Sequence, residues 1–243
     1  EALAVVLRSG GTGSGSIQYL TADFSELSQV RQLIANLQKI ERPIDVLINN
    51  AGVHMTRRVL TPDGLETVFM VNHLASFMLT KALLPRMLQQ NSGRIIQVNS
   101  QGHRFFGLRL DDLDWHKRFY RGLQAYGAAK TAQLLCTWEF ADQLRDTNVT
   151  INAMHPGAVK SNVGSNNGPL YRWYNRNFVQ KKLADPGIAG TALHYLAAAP
   201  ELAGISGRYF NLTTEEKPAP HALDRELGRR IWEVSCLLSG MED

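Results

Sequence analysis

Five consecutive residues carry the most specific chemistry in this chain of 243: Tyr126-Gly127-Ala128-Ala129-Lys130. Residues four apart share a helix face, so the Lys130 ammonium is expected beside the Tyr126 phenol. A free phenol ionises at about pH 10, too high for a base at neutral pH. A neighbouring positive charge stabilises the phenolate and brings it towards the working range. Ser100 ends an apolar run and offers a hydroxyl to a substrate oxygen. Together the three groups suit proton transfer to or from an alcohol. Tyrosine and lysine at this spacing also occur as surface decoration, so the surrounding elements must decide.

Those elements alternate between strand and helix. Residues 17–23 read as a short strand, with Ser25 as N-cap of a helix on which Leu27, Val30, Leu33, Ile34 and Leu37 recur. Residues 44–48 form an apolar strand closing on Asn49-Asn50-Ala51-Gly52. A long helical region spans 62–90, a strand 94–98, a helix 124–144 and a strand 149–154, which ends at Pro156-Gly157. Asp185-Pro186 opens a helix to about residue 198, and 207–211 is the last strand. Residues 221–238 place Leu223, Leu227, Ile231 and Val234 on one helix face, with Gly240 past its end. Apolar strands separated by helices imply an α/β fold, a doubly wound parallel sheet covered on both faces. Ligands of such sheets sit beyond the carboxyl ends of the strands. That directs attention to Asp23, residues 49–52, Asn99-Ser100 and Pro156-Gly157. With no linker or repeat, residues 1–243 read as one domain.

Composition narrows the classes. The 44% hydrophobic and 20% charged fractions are ordinary globular values. Cys136 and Cys236 lie 100 residues apart with no metal-binding companions, so neither a disulfide framework nor a zinc site is expected, and a reducing compartment is the default. The net charge of +4 is met as well by a dinucleotide's phosphates as by nucleic acid, and no nucleic-acid partner is expected.

Asn49-Asn50-Ala51-Gly52, Asn72, Ser100, Tyr126 with Lys130, and Pro156-Gly157, in that order, resemble the short-chain dehydrogenase/reductase superfamily from about residue 16 to the C-terminus. Val71-Asn72-His73-Leu74-Ala75-Ser76-Phe77, Asp111-Asp112-Leu113-Asp114-Trp115, His155-Pro156-Gly157 and Arg230-Ile231-Trp232-Glu233-Val234-Ser235 are similar to the retinol dehydrogenase-like and WW-domain oxidoreductase-like subgroup. The resemblance implies a Rossmann-like fold and an NAD(P)-dependent oxidoreductase interconverting an alcohol and a carbonyl, on a lipophilic substrate. Tyr126 would be the general acid/base. Lys130 would hold the nicotinamide ribose and lower the tyrosine pKa, and Ser100 would polarise the substrate oxygen. Asn99 replaces the first serine of the family's Ser-Ser pair, and Ala129 stands where serine is common; both lie outside the implied catalytic set. Asn72 would anchor a water linking the lysine to solvent, although a mid-helix Asn is also an ordinary polar position.

For the cofactor, NADP or NAD, the resemblance implies Asp23 with Phe24 at the adenine ring and Asn50, Ala51 and Gly52 along the adenosine side. Pro156, Gly157, Val159 and Ser161 would surround the nicotinamide amide, with Ser161 replacing threonine. A helix cap is the alternative for Asp23, and a strand-end turn for 49–52. His103 and His155 are expected to be structural. The basic and aromatic segment 162–183 would form the substrate-covering lid, with nucleic-acid or membrane contact as the alternatives.

The family's opening strand and TGxxxGxG loop have no match. Gly10-Gly11-Thr12-Gly13-Ser14-Gly15 lacks that spacing and runs into residues 17–23 with no helix between. It reads as the loop after a truncated helix, so the fold is expected to be N-terminally truncated, its first strand-helix-strand absent. The natural protein would be longer by about 30 residues, one βαβ unit. The alternative function is a truncated, catalytically impaired or regulatory protein of the same fold with weak or no cofactor binding. The remaining expectations are a small-molecule substrate and a cytoplasmic-side location. A homodimer is compatible, and membrane contact is expected only through an anchor preceding Glu1.

Overall fold

A computed structural model of the chain describes residues 18–241. The glycine-rich string 10–15 and the helix expected before it lie outside them. Helix α1, Leu27–Gln38, buries Leu27, Val30, Leu33, Ile34 and Leu37, the face its spacing foretells. Its start differs from expectation. Ser25 does not cap it; the Ser25 hydroxyl donates to Asp23 Oδ1 at 2.7 Å. The Leu27 amide instead donates to Asp63 Oδ2, 36 residues away, at 2.9 Å. Residues 18–23 form no strand. The Asp23 amide donates to the Gln29 side chain at 2.8 Å, bending the chain into the helix instead of leaving it on a ladder.

Strand β1, Val46–Asn49, pairs in parallel with β2, Gly93–Val98, and β2 with β3, Val149–His155. Strand β4, Tyr209–Asn211, continues the parallel order beside β3. The sheet is not wholly parallel. After Leu212-Thr213, with Leu212 in the left-handed region at φ 56°, Thr214–Glu215 returns antiparallel to β4 as β5. Alternate strand residues face opposite layers. Ile95, Val149 and Ile151 pack with α1 and the helices below, whereas Ile96, Val98, Met154 and Phe210 pack against Ala192 and Leu196 of a helix on the other side. Both faces of β2 and β3 are therefore covered, which is why those strands read as continuous apolar runs, whereas Val46 and Ile48 of β1 are exposed.

The helical region expected from residue 62 begins at Thr67, because Leu60 and Glu66 pair across a turn with Gly64 at φ +80°. The buried Glu66 carboxylate caps α2, Thr67–Phe69, by accepting from the Val68 and Phe69 amides at 3.0 and 2.8 Å. A π-helical turn, Met70–Leu74, follows, then α3, Ala75–Gln90. This run is long and apolar enough to cross a membrane, but 83% of its apolar window is buried in the fold, and it serves as a core helix. The remaining helices are α4, Gly122–Gln143, α5, Pro169–Tyr174, α6, Gly187–Ala198, and α7, Arg225–Ser239. Helix α6 is the one over Ile96 and Met154. Asp224 caps α7, and Gly240 closes it at φ 67°.

Candidate active site

The strand ends bring the expected residues to one edge of the sheet. Ser100 follows β2 in extended conformation, and its Oγ accepts from the Gly102 amide at 3.1 Å, opening a short helical turn, Gln101–Arg104. Tyr126 lies one turn into α4, with its ring against Gly102: a Cβ there would lie 3.1 Å from two of its ring carbons. A second close approach supports the first. A Cβ on Gly127 would meet the Gly102 carbonyl oxygen at 2.7 Å and Phe106 at 3.0 Å. Two glycines thus let α4 press against the loop that carries Ser100. Burial pushes the Tyr126 phenol above its ordinary pKa, and the neighbouring Ser100 hydroxyl pulls the other way.

Lys130 stands differently from the simple i, i+4 picture. Its ammonium is buried and donates to the Val98 carbonyl at 2.7 Å and Gln133 Oε1 at 3.3 Å, so its hydrogen bonds run to β2 and along α4, not to the phenol. Desolvation lowers its pKa to about 7. An ammonium has three donors, and two are used on neutral oxygens. The third is free for a ligand hydroxyl, so the donor set fits a ribose diol. Gly52 borders the same spot: a Cβ there would sit 3.9 Å from Lys130 Nζ and 3.5 Å from Asn72 Oδ1.

Asn72 occupies the middle of the π-helical turn and is fully buried. Its Oδ1 accepts from the Val53 amide at 2.7 Å and its Nδ2 donates to the Val53 carbonyl at 2.9 Å. The extra residue of a π turn is a common device at functional sites. Here it lets one side chain clasp the loop that continues from Asn50-Ala51-Gly52. The adjacent His73 is buried, pairs with the Ser235 hydroxyl at 2.7 Å and is driven by burial to a pKa of about 3.

Two expected cofactor residues have local duties. Asp23 accepts from the amide and hydroxyl of Ser25, which lower its pKa. Phe24 packs its ring into the core, leaving its backbone as the part available to a ligand. Gly157 takes φ +79° just past β3. Beyond it Val159 bridges Ala184, and the Lys160 amide donates to the Ala184 carbonyl at 3.0 Å. These contacts close the base of an excursion that contains exposed Ser161 and α5. Asn167 ties the excursion to the site, accepting from the Thr56 amide at 2.6 Å and donating to the His54 carbonyl at 2.7 Å. His103 has a structural setting: its Nδ1 meets the Ser100 carbonyl at 2.6 Å and its Nε2 accepts from the Ala219 amide at 3.3 Å.

Beneath these groups lies a buried polar network that no sequence motif announces. Gln133 Oε1 also accepts from Asn99 Nδ2 at 2.9 Å, and Gln133 Nε2 donates to Gln97 Oε1 at 3.2 Å. Gln97 and Asn49 each donate to the Thr80 hydroxyl, at 3.0 and 2.9 Å. Asn99 further donates to the Lys130 carbonyl at 2.9 Å and accepts from the Ser100 amide at 2.8 Å. The visible signal was a glutamine three residues after Lys130, on the same helix face amid small and apolar neighbours.

A parallel-dominant sheet with helices on both faces is a Rossmann-like α/β fold, and it carries Ser100, Tyr126 and Lys130 at its carboxyl edge. The chain belongs to the short-chain dehydrogenase/reductase family: a short chain dehydrogenase model matches residues 1–108, and relatives of that family match nearly the whole chain. Within it the chain falls in the retinol dehydrogenase-like subgroup. It is 36% identical to retinol dehydrogenase 13 of Homo sapiens, spanning 100% of this chain and 74% of that protein. It is 35% identical to human retinol dehydrogenase 14, over 96% of this chain and 69% of the relative. An uncharacterized protein from Mycobacterium Paratuberculosis superposes with a TM-score of 0.70 at 26% identity, over 95% of this chain and 78% of the other. The chain is accordingly an oxidoreductase of alcohol or carbonyl substrates, in a family that uses NAD(P).

Proposed function

We propose that the protein interconverts a lipophilic alcohol and its carbonyl compound with NAD or NADP, Tyr126 serving as general acid/base. The observation that carries this reading is the convergence of Ser100, Tyr126 and Lys130 on the carboxyl edge of the sheet, with the Gly102–Gly127 approach fixing the first two together. The nicotinamide, when bound, exchanges the hydride. Lys130 would hold the ribose hydroxyls with its free donor, and Asn50, Ala51, Gly52, Gly157, Val159 and Ser161 would line the cofactor, with Asp23 and Phe24 at the adenine end. The Ser100 hydroxyl would hold the substrate oxygen while the Tyr126 phenol gives it a proton or takes one from it. A lysine held as ammonium favours the phenolate and so eases that transfer. The retinol dehydrogenase names of its relatives, with Leu170, Trp173 and Phe178 on the covering segment, support a lipophilic substrate.

Tyr126→Phe removes only a hydroxyl. Turnover of long-chain alcohols or aldehydes, followed by nicotinamide absorbance, should fall by about 10²–10⁴ while the melting temperature holds. Retention of most activity would overturn the role of Tyr126. Failure of the wild-type chain to bind either nicotinamide cofactor in a fluorescence titration would replace the enzyme reading with that of a regulatory protein of the same fold.

A further inference from the structure

The helical run 169–182, made of α5, a π turn at Asn175–Val179 and a short turn at Gln180–Lys182, has no buried residue. Leu170, Trp173, Tyr174 and Phe178 nevertheless recur on it at helical spacing and are 79, 53, 51 and 52% exposed. Trp173 and Tyr174 each pack on Phe178 with ring centres 5.6 Å apart, so the three rings form one apolar ledge. The run is tied to the body at its ends, through the Val159–Ala184 bridge and the Asn167 contacts, and by Tyr171, whose ring lies 5.9 Å from that of His54, while the four apolar side chains stay exposed.

Charge shows what the ledge meets. Between Asp146 and Asp185 there is no acidic residue, while Lys160, Arg172, Arg176, Lys181 and Lys182 supply +5. Against +4 for the whole chain, this leaves −1 for everything else. The basic character of the protein is thus concentrated around one exposed aromatic helix. We propose that this helix docks the protein on an anionic phospholipid surface, with its rings and Leu170 in the headgroup–acyl boundary and its cations among the headgroups. A second copy of the same face would bring +5 against +5, which disfavours self-association there. An aliphatic and aromatic face at helical spacing suits an acyl boundary better than a phosphate backbone. Membrane contact then needs no anchor preceding Glu1. If the substrate is lipophilic, as proposed above, docking opens the covering segment toward the phase that holds it; binding itself is independent of turnover.

The test uses the full chain and phosphatidylcholine vesicles, pure or with one quarter phosphatidylserine. Flotation should recover the protein with the serine-containing vesicles, less so at high salt. Trp115, Trp138 and Trp232 are buried at 5, 7 and 6% exposure, so a blue shift of tryptophan emission on binding reports Trp173. Lys181→Glu with Lys182→Glu should weaken binding at least about tenfold. Phe178→Ser should abolish the blue shift, and melting temperatures should not move because these side chains are exposed. The proposal is overturned by no flotation, or by binding indifferent to both variants. Salt-sensitive binding to duplex RNA with none to vesicles also overturns it, as does a concentration-dependent dimer that Phe178→Ser dissolves.

Discussion

Gln133→Leu is the sharpest test of the network under the site, because leucine keeps the side chain's bulk while removing every polar atom. Four contacts go: those from Asn99 at 2.9 Å and Lys130 at 3.3 Å, and those to Gln97 at 3.2 Å and Ser76 at 3.4 Å. The two amide–amide bonds are each worth about 1 kcal/mol, the ammonium bond about 1.5 kcal/mol, and the long Ser76 contact little. Asn99 keeps its bond to the Lys130 carbonyl, so it is only partly stranded. Gln97 Oε1 loses its donor in a buried setting, at a further cost of about 1 kcal/mol. Burying leucine carbons returns roughly 1–2 kcal/mol. The net loss is about 3 kcal/mol. Urea unfolding followed by tryptophan fluorescence should show the midpoint falling by roughly 1 M with an unchanged slope. A loss under about 1 kcal/mol would refute the view that Gln133 joins Asn99, Lys130 and β2 into one energetic unit.

Two further predictions follow from packing and protonation. Gly127→Ala places a methyl 2.7 Å from the Gly102 carbonyl; despite the better helix propensity of alanine it should cost about 1–3 kcal/mol, with a disproportionate fall in kcat because Ser100 moves with that loop, read from melting and initial rates. His73 titrates near 3 in the fold and about 6.5 unfolded, so its contribution is complete above about pH 6.5 and is lost as pH falls; at pH 5 the loss is about 2 kcal/mol, and His73→Gln should flatten the dependence of the urea midpoint on pH by that amount.

The order of strands and helices was legible because burial on both sheet faces writes continuous apolar runs, and because Leu27 to Leu37 and Leu227 to Val234 keep helical periods. Residues 18–23 misled because Leu20 and Ala22 are inward-facing without a ladder; alternation records burial, not pairing. Ser25 and Asp63 show the limit for caps: the donor chose a carboxylate distant in sequence over an adjacent hydroxyl. Within the site, Ser100 stood at the strand end that implied it, and Tyr126 on the helix expected over 124–144. The direction of Lys130 did not follow from i, i+4 spacing, since a lysine stem reaches several acceptors and the Val98 carbonyl lay within reach. Gln133, Gln97 and Thr80 went unread because polar residues on a buried face acquire meaning only from partners on other elements.

The orientation of Lys130 has a consequence for cofactor binding that spacing alone would reverse. A lysine paired with a phenolate would keep its proton far above neutrality; one buried against two neutral oxygens holds it only to about pH 7, while burial raises the Tyr126 phenol. In the ligand-free protein the first proton to leave on raising pH therefore belongs to Lys130, not Tyr126. If the ammonium is the form that grips the ribose, binding requires that proton. The apparent Kd for NADH or NADPH should then be flat below about pH 7, and rise roughly tenfold by pH 8 and a hundredfold by pH 9. Lys130→Met should bind weakly at every pH and lose the slope. A fluorescence titration between pH 6 and pH 9 reads both. A Kd independent of pH in the wild-type chain would refute the requirement for the Lys130 proton, because by linkage no proton is then taken up on binding; a Lys130→Met variant that binds as tightly as wild type would show that Lys130 does not hold the cofactor at all.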